Sequence, residues 1–483
     1  VTGMGARWIA IASIAILTAQ SPPAAVPAAT AWRNGLWFDG LRFKRVDVYS
    51  IGDRLTLKRP RTIDRTVDLA GGYVTGAFGE AHTHQVTSGD ADASIRTYLQ
   101  QGIFYVMSQA NSAHARERLG SRVNVPSSID VAFAGGCFTA PGGHPTALVN
   151  RNIRQGAMTP EDLNGGFLNS VASIEDVDRA WMRVRAQRPD FIKIVLVYSE
   201  DRAAGLPRPT DSDRHGLDPA LVPHIVELAH KDKLRVSAHV ESAYDFDVAA
   251  KAGVDVFAHL PGFWPDPARI ASKGLGIYQI SDESAKRAGQ YKARVVTTIY
   301  ETLKVVTERK EYAQLQEPML NLLRHNLGIL SKRGATIAMG SDQFRTTSVA
   351  EALEIHKAGL MTPLALLRAL SVDAAATIFP NRAPFGLAEG APADFLVLDA
   401  DPLTDFTAIQ RIRIRVKAGR ELTGSSAAIY PRGREGVLPK STPTEDGHVA
   451  LTAEPQRTPR FRRVSSRPQR QLGVLGGSAV KIM

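Results

Sequence analysis

Ala81-His82-Thr83-His84 follows a short apolar run, Tyr73 to Phe78, and its reading decides the fold. On an extended strand, residues i and i+2 point to the same face. A strand that ends in His-x-His therefore aims two neutral nitrogen donors at one point. Three residues are a weak signal by themselves in a chain of 483 residues with 12 His. The motif gains meaning because further ligand-type residues follow it, each beside another strand-like segment.

Strand-like runs occur at 73–78, 103–107, 129–134, 191–197, 234–238, 254–258, 294–299 and 335–339. Helix-like stretches alternate with them at 91–101, 113–119, 174–187, 219–232, 242–252, 283–289, 315–333 and 347–359, with a further one at 362–378. Eight strands alternating with helices predict an α/β protein built on a (β/α)8 TIM barrel. Short strands with turn signals lie on both sides of this middle: Trp37-Phe38-Asp39-Gly40, Arg45 to Ile51, Leu55 to Leu57 and Thr66 to Leu69 before it, then Ala393 to Asp399 and Ile412 to Val416 after it.

In such barrels the reacting groups stand where strands end. His82 and His84 end the first strand, His239 the fifth, His259 the sixth and Asp342 the eighth. Lys193 lies inside the apolar fourth strand, Phe191 to Val197, where a cation is costly to bury. A lone strand-end His or Asp has ordinary structural explanations, a hydrogen-bonded core residue or a helix cap. Five at the ends of four strands, with a Lys in another, point to a metal site.

Bulk composition narrows the rest. The single Cys, Cys137, excludes an internal disulfide framework and any Cys-based zinc site, and reads as a packing residue. Any metal must therefore be held by N and O donors. Of the formal charge of +11, the segment 431–483 supplies +6, with ten Lys/Arg against four Asp/Glu. The remainder carries no concentrated basic stripe, which argues against nucleic-acid binding. At the N-terminus, Arg7 precedes the apolar run Trp8 to Ala19, and Ala29-Thr30-Ala31 offers an A-x-A cleavage site, with Ala19 and Ala25 as alternatives. This pattern predicts a bacterial-type signal peptide over residues 1–31 and an exported protein, periplasmic or secreted. Its apolar run of about 12 residues is short for a membrane span, and an uncleaved anchor is the alternative reading.

The order His-x-His, Lys, His, His, Asp resembles the amidohydrolase superfamily, over roughly residues 32 to 425. Ala391 to Asp399 is similar to that family's returning strand. The chain departs from it at Gly76-Ala77-Phe78-Gly79-Glu80, where Pro-Gly-Leu-Ile-Asp is more usual, and at Ser371, where a Thr is. The resemblance implies a small β-sandwich assembled from both chain ends, residues 32–72 and 381–430, around a metal-binding barrel over 73–380. The basic tail, 431–483, rich in Arg, Pro, Ser and Thr with few periodic apolar residues, reads as disordered. The resemblance also implies two divalent metal ions, with His82, His84 and Asp342 on one and His239 and His259 on the other; the donor type suits zinc, with Mn, Fe, Co and Ni left open. Lys193 would bridge them as an N6-carboxylysine carbamate, which turns a costly buried cation into an anion.

By the same resemblance, a metal-bound hydroxide would attack a scissile carbonyl, with Asp342 as general acid/base. His144, in the Gly142-Gly143-His144 loop, would lie near that carbonyl. Tyr198 would donate to the developing oxyanion, and Arg345 would hold a substrate carboxylate; structural roles for all three stay open, as a core or capping role does for His325. The expected activity is hydrolysis of an amide, peptide or other C–N bond in a small molecule, in the manner of imidazolonepropionase-like enzymes and dipeptidases. A lactonase or esterase on the same site, or a non-catalytic metal-binding barrel, is the alternative. Homo-oligomerisation is left open.

Overall fold

The chain changes sheets at Ala77. Its amide donates to Asp394 O at 3.1 Å, whereas the next amide, Phe78, donates to Gly102 O at 2.9 Å. The run expected as one strand over 73–78 is therefore two: Tyr73–Gly76 in a flanking sheet and Phe78–Thr83 in a parallel one. The run carries one polar residue, Thr75, and no change of period marks the handover. Gly79 is required just beyond it. A Cβ there would lie 2.8 Å from the Ala374 side chain and 3.1 Å from its backbone.

This computed structural model describes residues 28–422, apart from 88–89, 164, 207–213, 343–345 and 383. Most of the leader, the basic tail and Arg345 lie outside the described residues, all of which fall within one unit. Phe78–Thr83, Ile103–Ser108 and Asp130–Phe133 form a three-stranded parallel sheet. Seven more parallel strands form a second, in the order Leu168–Ser170, Cys137–Thr139, Ile192–Val195, Val236–His239, Val256–Phe257, Arg294–Val296 and Thr336–Ala338.

The parallel strands expected in one ring of eight lie in these two sheets, which hydrogen bonding does not close into a ring. At one seam the Asp190 carboxylate accepts from Phe133 N at 2.8 Å, taking an amide that a neighbouring strand would otherwise take. At the other, two backbone bonds run across, Ala81 N to Met339 O and Asp342 N to His82 O, both 2.9 Å. Gly340 and the left-handed Asp342 (φ 52°) end extended pairing there. The strands Cys137–Thr139 and Leu168–Ser170 are three residues each, too short to show a period in sequence.

The helices between the strands follow sequence signals. Ser173 with Asp176, and Ser242 with Asp245, form capping boxes that satisfy the first free amides of helices Ile174–Ala186 and Ala243–Ala252. The stretch expected as one helix over 362–378 is broken by a wider turn at Ala369–Asp373. No helix among the described residues is long and apolar enough to cross a membrane.

Two flanking sheets accompany the parallel ones, the first built from residues 29–68 alone and the second from both sides of the parallel region. One has the order Arg54–Thr56, Val48–Ile51, Ala29–Arg33, Arg65–Asp68; the other runs Arg420–Glu421, Ile412–Lys417, Phe395–Leu398, Tyr73–Gly76, Leu36–Phe38, Phe43–Arg45. Trp32, Trp37, Val74, Phe395 and Val416 share one buried cluster, with Trp32 edge-on to Phe395 at 4.9 Å. The leader boundary drawn at residue 31 cuts into this layer. Ala29, Thr30 and Ala31 pair with Ile51, Ser50 and Tyr49, so cleavage after Ala31 would remove most of a strand, while cleavage at Ala19 or Ala25 would spare it.

Candidate active site

All six residues of strand Phe78–Thr83 are buried, and His82 lies within it, with His84 just beyond. A carbonyl can only accept, so the 2.9 Å contact from His82 Nδ1 to Ala258 O fixes the proton on Nδ1. Nε2 then carries the lone pair, and it faces Asp342 Oδ1 at 3.2 Å. His84 Nε2 lies 3.4 Å from the same oxygen. Asp342 reaches this position because Gly340 allows close approach: a Cβ there would fall 2.7 Å from His82 N.

His259 follows strand Val256–Phe257. Its Nδ1 meets Thr298 Oγ1 at 2.9 Å and lies 3.9 Å from Asp342 Oδ2. The donor atoms of His82, His259 and Asp342 all lie within 4.8 Å of one another. The His259 ring is 4.5 Å from the His82 ring and 4.4 Å from the His239 ring, and it stacks on Phe263 at 3.8 Å. His239 ends its strand with Nε2 3.0 Å from Glu241 Oε1. His259 thus adjoins both of the ligand groups that the resemblance implied.

Lys193 is buried beside Cys137 and Ser237 in the register of the larger sheet. Its Nζ donates to Gln109 Oε1 at 3.3 Å; Ser237 Oγ donates to the same atom at 2.8 Å, and Gln109 Nε2 donates to Ala81 O at 3.0 Å. Burial pushes the Lys193 ammonium down to about 8, with Asp342 pulling the other way. The neutral amine that CO2 addition requires is therefore within reach near neutral pH.

Electrostatics suit cation binding. Burial pushes His84 down to about 4, and pushes His239 and His259 well below the ordinary imidazole value, so their lone pairs are free of protons at neutral pH. Burial pushes Asp342 up, but His82, His84 and Lys193 outweigh it and hold the carboxyl at about 2.

The substrate residues fall differently. The His144 ring is 5.0 Å from that of His239, which brings it to the cluster. Tyr198 is turned toward Tyr278, with the two hydroxyls 3.1 Å apart, and the Arg269 guanidinium covers its ring at 3.6 Å. Its phenol is thereby engaged in a hydrogen bond with another side chain. Nε2 of His325 donates to Ile280 O at 3.1 Å, a structural bond. Sequence reading missed Gln109, Thr298, Phe263 and Glu241. Only Glu241 carried a signal, as the second member of His239-Val240-Glu241, which repeats the i, i+2 spacing of His82 and His84.

Neither a family sequence model nor a curated protein sequence matches this chain. Solved structures do. An amidohydrolase matches with a TM-score of 0.62 at 17% identity, over 82% of this chain and 98% of its own. A. niger ochratoxinase matches with a TM-score of 0.62 at 18% identity, over 83% of this chain and 96% of its own. A Xaa-Pro dipeptidase with methionine bound in its active site matches with a TM-score of 0.62 at 15% identity, over 82% of this chain and all of its own. At these identities the likeness is one of fold: this chain has the fold of solved amidohydrolases.

Proposed function

We propose that this chain is an exported, metal-dependent hydrolase that cleaves an amide or peptide C–N bond in a small molecule. The observation that carries this reading is the convergence of His82 and His84 on Asp342 at 3.2 and 3.4 Å, beside His259, His239 and Lys193. In this reading the two parallel sheets work as one (β/α)8 barrel, with the cluster at the ends of its strands, and the flanking sheets as a β-sandwich. The dipeptidase among the structural neighbours supports a dipeptide-like substrate.

The residues fit divalent metals. His82 is held in the tautomer that leaves Nε2 free for a ligand bond, and Asp342 is an anion beside it. His82, His84 and Asp342 would hold one ion and His239 and His259 a second, zinc by donor type, and Lys193, as its carbamate, would add an anionic donor. Bound there, the metals supply Lewis acidity toward the scissile carbonyl and activate water. Asp342, ionised at neutral pH, accepts the proton of the attacking water on its carboxylate and returns it to the leaving nitrogen. His144, beside His239, orients the substrate carbonyl, and Phe263 keeps water from the His259 face.

The test is metal content and activity of the purified chain, expressed with zinc and bicarbonate. We expect about two metals per chain, fewer in Lys193→Ala, and a loss of about 10²-fold or more in turnover in Asp342→Asn. Dipeptides, N-acyl amino acids, aryl esters and lactones are then compared. Turnover of esters or lactones alone would reject the C–N assignment, and absence of bound metal would reject the whole reading. Fractionation of the expressing cells tests export.

A further inference from the structure

Resting on that reading, we infer that Glu241 is itself a metal ligand, the carboxylate donor on the His239 side of the centre, as Asp342 is on the His82 side. Four neighbouring donors around zinc at about 2.0–2.1 Å lie roughly 3.3–3.4 Å apart along the edges of a tetrahedron. The His82–Asp342 and His84–Asp342 pairs stand at 3.2 and 3.4 Å, and the His239 Nε2–Glu241 Oε1 pair at 3.0 Å. The second carboxylate is thus poised against its imidazole much as the first is.

Backbone placement repeats as well. His82-Thr83-His84 and His239-Val240-Glu241 each set a donor at a strand end and another two residues on, past a fully buried residue. Glu241 is anchored: its amide donates to Asp245 Oδ2 at 3.2 Å, and the same carboxylate group takes Tyr198 N and Ser199 N at 2.8 and 2.9 Å. The Glu241 side chain is only 13% exposed. The mostly buried Glu241 side chain thus has its Oε1 beside the one ring nitrogen of His239 that it can share with a cation.

A different role has to be separated from this one: Glu241 accepting from a protonated His239 Nε2 and merely orienting the ring. Glu241→Gln keeps an oxygen that accepts that hydrogen bond but removes the anionic donor. We expect the variant to bind about one zinc ion per chain in place of about two, with the remaining site unchanged, and the lost site weakened by more than the 10–100-fold typical of an orienting partner. The cobalt-loaded protein should show altered d–d bands. Glu241→Asp, a shorter carboxylate, should recover part of the second site, and melting of the metal-free proteins checks that all fold alike. Full metal content with unchanged cobalt bands in Glu241→Gln overturns the inference and leaves the hydrolase reading standing. Loss of metal from the wild-type chain under the same loading overturns both.

Discussion

Glu80 lies two residues before His82, fully buried, and its carboxylate accepts from Ser341 N at 2.7 Å, Ser348 N at 2.6 Å and Ser341 Oγ at 3.2 Å. It ties the strand carrying both first-strand histidines to the segment carrying Asp342. Glu80→Ala should strand these buried donors and cost about 2–4 kcal/mol, from about 1–3 per group left unsatisfied, checked by chemical denaturation. Glu80→Gln, which keeps one acceptor, should cost less. The Glu in place of the more usual Asp was visible in sequence; its task was not, because its partners lie about 260 residues away. Cys137 offers a second test. Burial pushes its thiol from 9.0 up to about 12. Between those values the unfolded chain gives up a proton that the folded chain keeps, so the Cys137 contribution makes stability fall as pH rises through that window, by about 1.4 kcal/mol per unit. A disulfide reagent at pH 8 should leave the folded protein unlabelled and modify one thiol after unfolding.

Among the elements, helix Ala243–Ala252 does most to shape the site. Asp245 completes its capping box and also holds the amides of Tyr198, Ser199 and Glu241. Asp245→Ala should therefore cost more than the usual ~1 kcal/mol of a lost cap, about 3 kcal/mol or more, with metal affinity falling in parallel. Asp245→Asn should retain part of both, measured by thermal unfolding and zinc titration. The capping signal Ser242-x-x-Asp245 was legible in sequence. It also concealed Glu241, since an acidic residue just before a helix reads as part of its N-terminus. Strand ends were legible for the same local reason. The five His and Asp donors each follow an apolar run bounded by turn residues, and no tertiary information is needed to see that.

At the scale of the whole molecule, a buried charge network joins the flanking sheets to the parallel ones. Lys417, 3% exposed, meets Asp130 at 3.2 Å and Asp394 at 3.9 Å. Arg382 pairs with Asp130 at 2.7 Å, and Tyr105 donates to Asp394 at 2.7 Å. Lys417→Ala leaves two carboxylates short of a cation and should cost about 3–5 kcal/mol in thermal or denaturant unfolding. The quadruple variant Lys417→Met, Asp130→Asn, Asp394→Asn, Arg382→Gln, with all four charges removed together, should recover part of that loss. Local pattern determined the alternation of strands and helices, the strand-end His and Asp donors and the anomalous Lys193, because periodicity, capping and the cost of burying a cation act over a few residues. Only the tertiary structure decided that Tyr73 to Phe78 belongs to two sheets, that the parallel strands form two open ladders, that His259 adjoins both ligand groups and that Glu241 faces His239. Those outcomes depend on which distant backbone or side chain accepts a hydrogen bond, and a single sequence does not carry that information.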